Sequence, residues 1–154
     1  AAQKAMNIAP GLRRRFAAEH YSFCPPEIWS RQREKALSEI KLDTDFEGVG
    51  FDIDPTAVEL ARVNARLAGV EKRCHFEMAD VKNFAPFTDQ IVLANPPYGE
   101  RLGDLDAAAK LAHQLGEALD AHPTSGAYII TADADFEKHF GKKARKRRKL
   151  YNGM

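Results

Sequence analysis

A chain of 154 residues can build one hydrophobic core, and its composition, 44% hydrophobic and 29% charged, is typical of a globular domain. No apolar run approaches the roughly 18 residues of a membrane span and nothing resembles a signal peptide, so we expect a soluble, cytoplasmic protein without a membrane partner. The two cysteines, Cys24 and Cys74, have no Cys-x-x-Cys spacing and no histidine at ligand distance, which argues against a disulfide framework or a zinc site and predicts two reduced thiols.

The first third of the chain is predicted to be helical. A helical stub covers residues 1–8, and two helices cover residues 13–20 and 26–40, with a Pro-Pro break between them. Residues 10–46 therefore form a helical insert that is longer than a minimal connection between two strands. Its three consecutive arginines, 13–15, either face phosphate or form a solvated helix start. Trp29, at helical spacing from other apolar residues, is interpreted as part of a core.

The first predicted strand covers residues 48–51 and runs into Asp52-Ile53-Asp54-Pro55. Asp54 is placed to cap the following helix, with Pro55 at its first position, which leaves Asp52 at the strand terminus. A carboxylate there can accept hydrogen bonds from both hydroxyls of a ribose, and Ile53 would then lie against an adenine. The alternative is an ordinary strand-to-helix turn, where an Asp followed by a capping Asp is common.

Two further apolar strands cover residues 75–78 and 91–94, and each is followed by a polar side chain. Asp80 follows the first and Asn95 follows the second. Since Asp52, Asp80 and Asn95 all come directly after successive strands, we expect them at one edge of a parallel sheet, where open α/β folds bind ligands. The alternative for Asp80 is that it only caps the turn that follows it.

The stretch Asn95-Pro96-Pro97-Tyr98 is suited to holding an aromatic amine. The prolines cannot continue a strand ladder, so the strand ends at Asn95. The side-chain oxygen of Asn95 and the backbone carbonyl of Pro96 can accept both N–H groups of a nucleobase amine, which frees its delocalised lone pair for attack. Pro97 stiffens the turn, and Tyr98 offers a face on which the base can stack. The alternative is an Asn-Pro turn with a surface tyrosine.

The last third of the chain continues the alternation of helices and strands. A helix is predicted over residues 104–121 and a strand over 127–130, and another strand begins over 149–152. The five histidines lack a carboxylate or serine at catalytic spacing and are interpreted as structural.

A basic segment, residues 138–149, holds eight Lys or Arg and no acid, which leaves the rest of the chain with 15 basic and 22 acidic residues. Such a run is either solvated surface or a phosphate contact. In the second case its centre carries the binding, through Arg145, Lys146, Arg147 and Arg148.

Four stretches of the chain resemble a known family. Residues 93–102 read LANPPYGERL, which resembles the catalytic motif of class I, S-adenosylmethionine-dependent amino-methyltransferases, specifically the RNA guanine-N2 branch that often carries a THUMP domain. Agreement extends to NIAPGL at 7–12, RFAAE at 15–19 and LYNG at 150–153, so the resemblance spans nearly the whole chain. Family members also carry a glycine-rich loop before an alanine-rich helix, and this chain opens inside that helix.

The resemblance implies a fold and a cofactor. The fold is α/β, a doubly wound, Rossmann-like methyltransferase sheet truncated at its first and last strands, in a single catalytic domain over residues 1–154. The cofactor is S-adenosylmethionine, with Asp80 receiving its adenine amine and Val81 its ring edge. The implied cofactor site combines these two residues with Asp52, Ile53 and Asn95.

The resemblance also implies a substrate, namely an exocyclic base amine in RNA, specifically guanine N2 of ribosomal RNA. The residues Asn95, Pro96, Pro97 and Tyr98 would be catalytic. Neither a metal nor a covalent enzyme intermediate is needed, because a sulfonium is already a good leaving group. The basic segment would contact RNA, and a further RNA-binding domain is expected outside this chain.

Three alternatives stay open at this point. The same motif fits methylation of adenine N6 in DNA or RNA, and a chain without the glycine-rich loop could be a non-catalytic RNA-binding module. A nicotinamide-binding Rossmann domain is the third, although the chain contains no Gly-x-Gly-x-x-Gly.

Overall fold

The computed structural model describes residues 1–97, 105–122 and 124–150. Its contacts divide the chain into two compact units, which we call unit 1, Ala1–Met78, and unit 2, Ala79–Met154. Within the described residues, each unit contains one parallel pair of strands together with helices.

Unit 1 begins with helices and ends with a strand–helix–strand element. Its regular elements are α1 Ala2–Ala5, a 3₁₀ turn Ala17–His20, α2 Pro26–Ser38, β1 Gly48–Asp52, α3 Pro55–Leu67 and β2 Cys74–Met78. Strands β1 and β2 pair in parallel, with Gly48 opposite Cys74 and Asp52 opposite Met78. A connection through a helix is the usual way to join parallel neighbours.

Residues at both ends of α3 explain where this helix begins and ends. Asp54 caps the start, since its side chain accepts the Thr56 N–H at 2.8 Å, and Pro55 occupies the first turn, where no N–H is needed. Gly69, with φ +72°, adopts the left-handed conformation that closes many helices. These features confirm the capping role predicted for Asp54.

The core of unit 1 lies where α1 and α3 meet the end of the strand pair. Gly50 leaves room for the Phe76 ring, because a Cβ atom at position 50 would lie 2.6 Å from that ring. Small or unbranched side chains at most positions of this cluster let the elements approach closely. Its buried members are Ala2, Met6, Ala65 and Val70.

The helix predicted over residues 13–20 is wrong in its first half, because only Ala17–His20 forms a helical turn. The groups before it bond to other helices instead. The Arg13 guanidinium donates to the Leu67 carbonyl at 3.1 Å, and the Arg14 carbonyl accepts from Arg33 at 2.7 Å. Contacts with residues far away in the sequence therefore replace a local helix.

Unit 2 contains a second parallel pair. Its elements are a 3₁₀ turn Val81–Asn83, β3 Ile91–Ala94, α4 Leu105–Ala121, β4 Gly126–Ile129 and α5 Phe136–Phe140. Ile91 lies opposite Gly126 and Ala94 opposite Ile129. The ladder extends past β4, since the Ile130 N–H donates to the Ala94 carbonyl at 2.9 Å.

Helices α4 and α5 pack closely at Gly116. A Cβ atom at this position would lie 2.1 Å from the Phe140 carbonyl oxygen, so only glycine fits. The rings of Phe136 and Phe140 stack with centroids 5.4 Å apart. The buried positions of α4 follow helical spacing, as predicted for an amphipathic helix, and are Ala108, Ala112, Leu115 and Gly116.

The predicted α/β class is confirmed, with strands and helices alternating along the chain and both strand pairs parallel. The strand predicted over residues 149–152 does not begin where expected, because Lys149 and Leu150 have no regular secondary structure. Residues 151 and 152, and Asp104 at the predicted start of α4, lie outside the described residues. No helix within the described ranges is both long and apolar enough to cross a membrane.

Candidate active site

Asp52 and Ile53 lie at the carboxyl end of β1, as predicted. One Asp52 carboxylate oxygen accepts the Asp54 N–H at 2.9 Å, which fixes the side chain in the turn. The other oxygen has no hydrogen-bond partner among the described residues of the chain. Ile53, beside it, is 67% exposed. An available carboxylate oxygen next to an exposed apolar side chain fits a ribose hydroxyl and an adenine face.

Asp80 begins the 3₁₀ turn after β2 and is held by Lys82. One carboxylate oxygen accepts the Lys82 N–H at 3.0 Å, and the other lies 3.1 Å from the Lys82 ammonium nitrogen. These two contacts lower the pKa of Asp80, because both stabilise the charged form of its carboxyl. The capping role is therefore present. A carboxylate oxygen has a second lone pair, so capping leaves Asp80 able to accept an adenine amine, beside half-buried Val81.

The predicted catalytic stretch begins directly after β3. The Ala94 carbonyl is the last ladder acceptor, and Asn95 follows it with an exposed side chain. The Asn95 amide has no hydrogen-bond partner within the part of the chain that the structure describes. Pro96 is buried and Pro97 exposed. A buried proline thus anchors the turn from which a free amide projects, while Tyr98 lies outside the described residues.

The structure describes these groups in two separate units. Asp52 and Ile53 belong to unit 1, whereas Asp80, Val81 and Asn95 belong to unit 2. Each group does follow a strand or lie at its carboxyl end, as the sequence predicts. The expectation that all of them share one edge stays a prediction.

The basic segment, residues 138–149, begins within α5 and continues past Gly141, which caps the end of this helix with φ +86°. Glu137 holds it, since its carboxylate accepts the Ala144 N–H at 3.1 Å and two N–H groups of Arg147, one of them at 2.6 Å. Lys142 pairs with Asp120. The remaining arginines and lysines at the centre have no ion-pair partner among the described residues and are exposed, namely Arg145, Lys146 and Arg148.

The four residues predicted to contact RNA differ in whether the structure pairs them with an acid. Arg147 is engaged in a bidentate ion pair, which fixes the course of the segment, and the three others present their charge to solvent. Sequence reasoning missed Glu137, whose partner lies ten residues further along the chain. The predicted RNA-binding role itself stays a prediction.

The interpretation that no histidine has a nearby carboxylate is wrong. The Nδ1 of His139 lies 3.0 Å from a carboxylate oxygen of Asp133, in the loop after β4. Two exposed histidines also approach glutamates, His75 with Glu47 at 3.9 Å and His113 at 3.5 Å from Glu117. The signal in the sequence was weak, because a loop separates Asp133 from His139.

The described residues contain no group of three or more His, Cys, Asp or Glu side chains that could hold a metal ion. Cys24 and Cys74 are partly buried and form no disulfide in the described structure, and burial raises the pKa of the Cys74 thiol. Cys74 is therefore not primed as a nucleophile by its surroundings.

Replacing Glu137 by Gln should release the basic segment, because a neutral amide cannot maintain the charge-assisted pair with Arg147. Hydrogen exchange should show lower protection of the Ala144 amide. The same loss is expected in the unaltered protein at acidic pH. Arg147 and the Ala144 N–H lower the pKa of Glu137, so protection should be complete above the usual range of a glutamate and disappear as pH falls through the lowered value.

Glu117→Gln is the matched control, since Glu117 is exposed and contacts His113 at 3.5 Å. It should leave the Ala144 amide unchanged. Equal protection in the Glu137→Gln variant and the unaltered protein would show that Glu137 does not hold the segment.

Comparison with known proteins identifies the family. The sequence profile of a family described as "RMKL-like, methyltransferase domain" matches residues 1–154. YpsC of Bacillus subtilis, described as a candidate RNA methyltransferase, is 34% identical over 96% of this chain and 39% of its own length. The ribosomal RNA large subunit methyltransferase K/L of Shewanella amazonensis is 36% identical over 99% of this chain and 22% of its own length. The chain thus spans well under half of the relatives it matches.

Two solved structures are also similar to this chain. SMU.472, described as a candidate methyltransferase and solved with SAH, superposes with a TM-score of 0.90 at 39% identity, over 99% of this chain and 41% of that one. A structure from Listeria monocytogenes, described as a predicted N6-adenine-specific DNA methylase, superposes with a TM-score of 0.88 at 36% identity, over 97% of this chain and 40% of that one.

The predicted cofactor is confirmed at the level of the family, since SAH is what S-adenosylmethionine becomes after methyl transfer. The α/β fold, the profile match over the whole chain and the relatives all agree with the resemblance read from the sequence. The chain belongs to the RMKL-like methyltransferase domain family.

Proposed function

We propose that this domain catalyses the S-adenosylmethionine-dependent methylation of an exocyclic base amine in RNA, with guanine N2 of ribosomal RNA as the target. The observation that carries the proposal is the Asn95 amide, which is exposed and unpartnered in the described structure directly after β3, beside a buried Pro96. A polar group that a rigid turn holds without a partner is suited to a substrate.

The chemistry follows from the lone pair of the amine. When bound, S-adenosylmethionine supplies an activated methyl group. The side-chain oxygen of Asn95 and the carbonyl of Pro96 would accept the two N–H groups and thereby favour a tetrahedral nitrogen. Its lone pair would attack the methyl carbon, so that the C–N bond forms as the C–S bond of the sulfonium breaks, and the methylated amine would lose one proton to solvent. Both acceptors lie on a turn stiffened by two prolines, so little reorganisation is needed. Tyr98 would stack on the target base.

Two pairs of residues would hold the cofactor. Asp52 has one carboxylate oxygen available for the ribose hydroxyls, and exposed Ile53 would lie against the adenine. Asp80, whose pKa is lowered by its contacts with Lys82, would accept the adenine amine, and Val81 would border the ring. Their positions at or just after strand ends support this assignment.

The choice of RNA is supported by the two relatives from Bacillus subtilis and Shewanella amazonensis, which are described as methyltransferases of RNA and of ribosomal RNA. The exposed cations of the basic segment, residues 138–149, support the choice of RNA independently.

We also propose that residues 1–154 are one catalytic domain, with residues 10–46 as a helical insert. A further RNA-binding domain would lie in the part of the full-length protein that this chain does not cover.

Methylation of adenine N6 is the second candidate, favoured by the description of the Listeria structure. Adenine N6 is also a delocalised amine with two N–H groups, so the Asn95 and Pro96 acceptors fit it equally well. The two candidates differ in the modified base that they produce and, for a DNA substrate, in its sugar.

Analysis of the product tests the proposal. The full-length protein is incubated with labelled S-adenosylmethionine and with ribosomal RNA from cells that lack it, and the RNA is digested to nucleosides. We expect the label in N2-methylguanosine, because the motif resembles the guanine-N2 branch. Label in N6-methyladenosine would establish the second candidate. Label only on a ribose oxygen or a ring carbon would contradict both.

A further inference from the structure

Two aromatic side chains project from a turn in the helical insert, which covers residues 10–46. Phe23 is 81% exposed and Tyr21 is 49% exposed, and their ring centroids lie 5.3 Å apart. We call this pair, with the residues beside them, the aromatic turn, residues 21–24. Burying rings of this size normally contributes favourably to folding, so an exposed pair is a candidate contact surface.

The aromatic turn is firmly held although its rings are exposed. The Cys24 N–H donates to the Tyr21 carbonyl at 2.9 Å, and the Tyr21 N–H donates to the Ala18 carbonyl at 3.2 Å. The Trp29 indole N–H donates to the Cys24 sulfur at 3.0 Å. The backbone is thereby fixed on both sides of Phe23. Rings on a fixed backbone can bind a flat partner with little loss of conformational entropy.

Two arginine side chains lie over the aromatic rings that support the aromatic turn. The Trp29 ring stacks on Phe16 at 5.7 Å, and the guanidinium groups of Arg33 and Arg14 each lie 5.9 Å from the centroid of one of these rings. Glu19 accepts two hydrogen bonds from Arg33, which locks α2 against the 3₁₀ turn. This network joins the aromatic turn to Arg14, whose carbonyl accepts a hydrogen bond from Arg33 at 2.7 Å.

Charge distinguishes residues 10–35, the part of the helical insert that contains the aromatic turn and most of α2, from most of the chain. Residues 10–35 hold six Lys or Arg and three Glu, whereas the chain outside this range and the basic segment holds nine bases and nineteen acids. A locally positive surface on an acidic body attracts an anionic polymer. Among such polymers, exposed rings favour one whose bases are unpaired and free to stack.

We propose that the aromatic turn is a docking surface for single-stranded RNA, with Phe23 and Tyr21 stacking on unpaired bases and the neighbouring arginines contacting phosphates. The inference rests on the proposed function and extends it, since it assigns the helical insert to binding of the RNA substrate. It also commits the substrate to a region whose bases are unpaired, such as a loop or an opened helix.

The test measures binding of the full-length protein to a labelled oligouridylate of about 12 nucleotides, a length within the usual range for single-strand grooves. By fluorescence anisotropy, Phe23→Ala should weaken binding by roughly 5-fold to 100-fold, the usual range for losing one base–aromatic stack, and Tyr21→Ala should act in the same direction. Phe23→Trp should restore affinity to within about 2-fold of the unaltered protein, since indole also stacks.

The matched control is Phe87→Ala in unit 2, because Phe87 is a comparably exposed phenylalanine at 73%. It should bind the oligonucleotide like the unaltered protein. The dependence of affinity on salt should keep its slope in Phe23→Ala, since no cation is removed, and binding of an RNA duplex should not change, since its bases are already stacked.

Wild-type affinity in both Phe23→Ala and Tyr21→Ala would overturn the inference. An equal loss for single-stranded and duplex RNA would overturn it as well, because it would indicate a general disturbance of the surface. These outcomes are separate from the proposed function. RNA methylation with normal oligonucleotide binding by the variants contradicts only the docking surface, whereas ring-dependent binding without amine methylation contradicts only the reaction.

Discussion

Replacing Asn95 by Ala in the full-length protein is expected to lower the turnover of methyl transfer by about 100-fold or more, the effect of deleting one preorganised hydrogen-bonding group. The substitution removes an acceptor aimed at the reacting amine. It leaves buried Pro96 and the β3–β4 ladder intact, so the fold should be kept. Single-turnover measurement of methyl transfer at saturating cofactor and RNA reads this effect directly.

Cofactor affinity separates the role of Asn95 from a general loss of the site. Affinity for S-adenosylmethionine, measured by calorimetry, should stay within a few-fold in Asn95→Ala, whereas Asp52→Ala should weaken it by about 10-fold or more, as expected for losing hydrogen bonds to a charged group. Asn64→Ala, the same change on the exposed surface of α3, should alter neither quantity. Near-normal turnover in Asn95→Ala would remove Asn95 from the catalytic assignment.

Replacing Gly116 by Ala is expected to lower the free energy of unfolding by about 3 kcal/mol, at the upper end of the cost of overpacking a core. The added Cβ would lie 2.1 Å from the Phe140 carbonyl oxygen, which belongs to the backbone and cannot rotate away. Chemical denaturation measures the loss directly. For a domain of this size it corresponds to a decrease in melting temperature of roughly 6–12 °C.

The destabilisation expected for Gly116→Ala is opposite in sign to the usual effect of a Gly→Ala substitution in an exposed helix. In an exposed helix, Gly→Ala usually stabilises by about 1 kcal/mol, because alanine has the higher helix propensity. Gly126→Ala is the control, since its Cβ would meet only the Tyr128 ring at 3.8 Å, and its effect should stay within about 0.5 kcal/mol. An unchanged or higher free energy of unfolding in Gly116→Ala would show that α4 and α5 do not pack as described.

Much of the candidate site could be predicted because its signals are local. Asp54 and Pro55 start α3 through contacts within two residues, so the order of residues along the chain is enough to separate the capping Asp54 from Asp52. The prolines after Asn95 end β3 for an equally local reason, since proline cannot donate to a ladder. Asp80 shows the limit of such reasoning, because its capping role and its proposed ligand role produce the same pattern in the sequence.

Three features depended on residues that are distant in the sequence. The helix predicted over residues 13–20 does not form in its first half, where Arg13 bonds instead to Leu67, 54 residues away. Glu137 holds the basic segment through Arg147, and nothing in the local pattern selects that one arginine from its neighbours. The need for glycine at position 116 exists only because α5 packs against α4 there.

The sequence by itself determined the α/β class, the family, the cap of α3 and the end of β3 before the prolines, since apolar periodicity, caps and prolines act within one or two turns of the chain. Only the tertiary structure decided which arginines are paired, which aromatic rings stay exposed and where a side chain has no room. These depend on close approaches between elements separated by many residues, which short-range patterns do not encode.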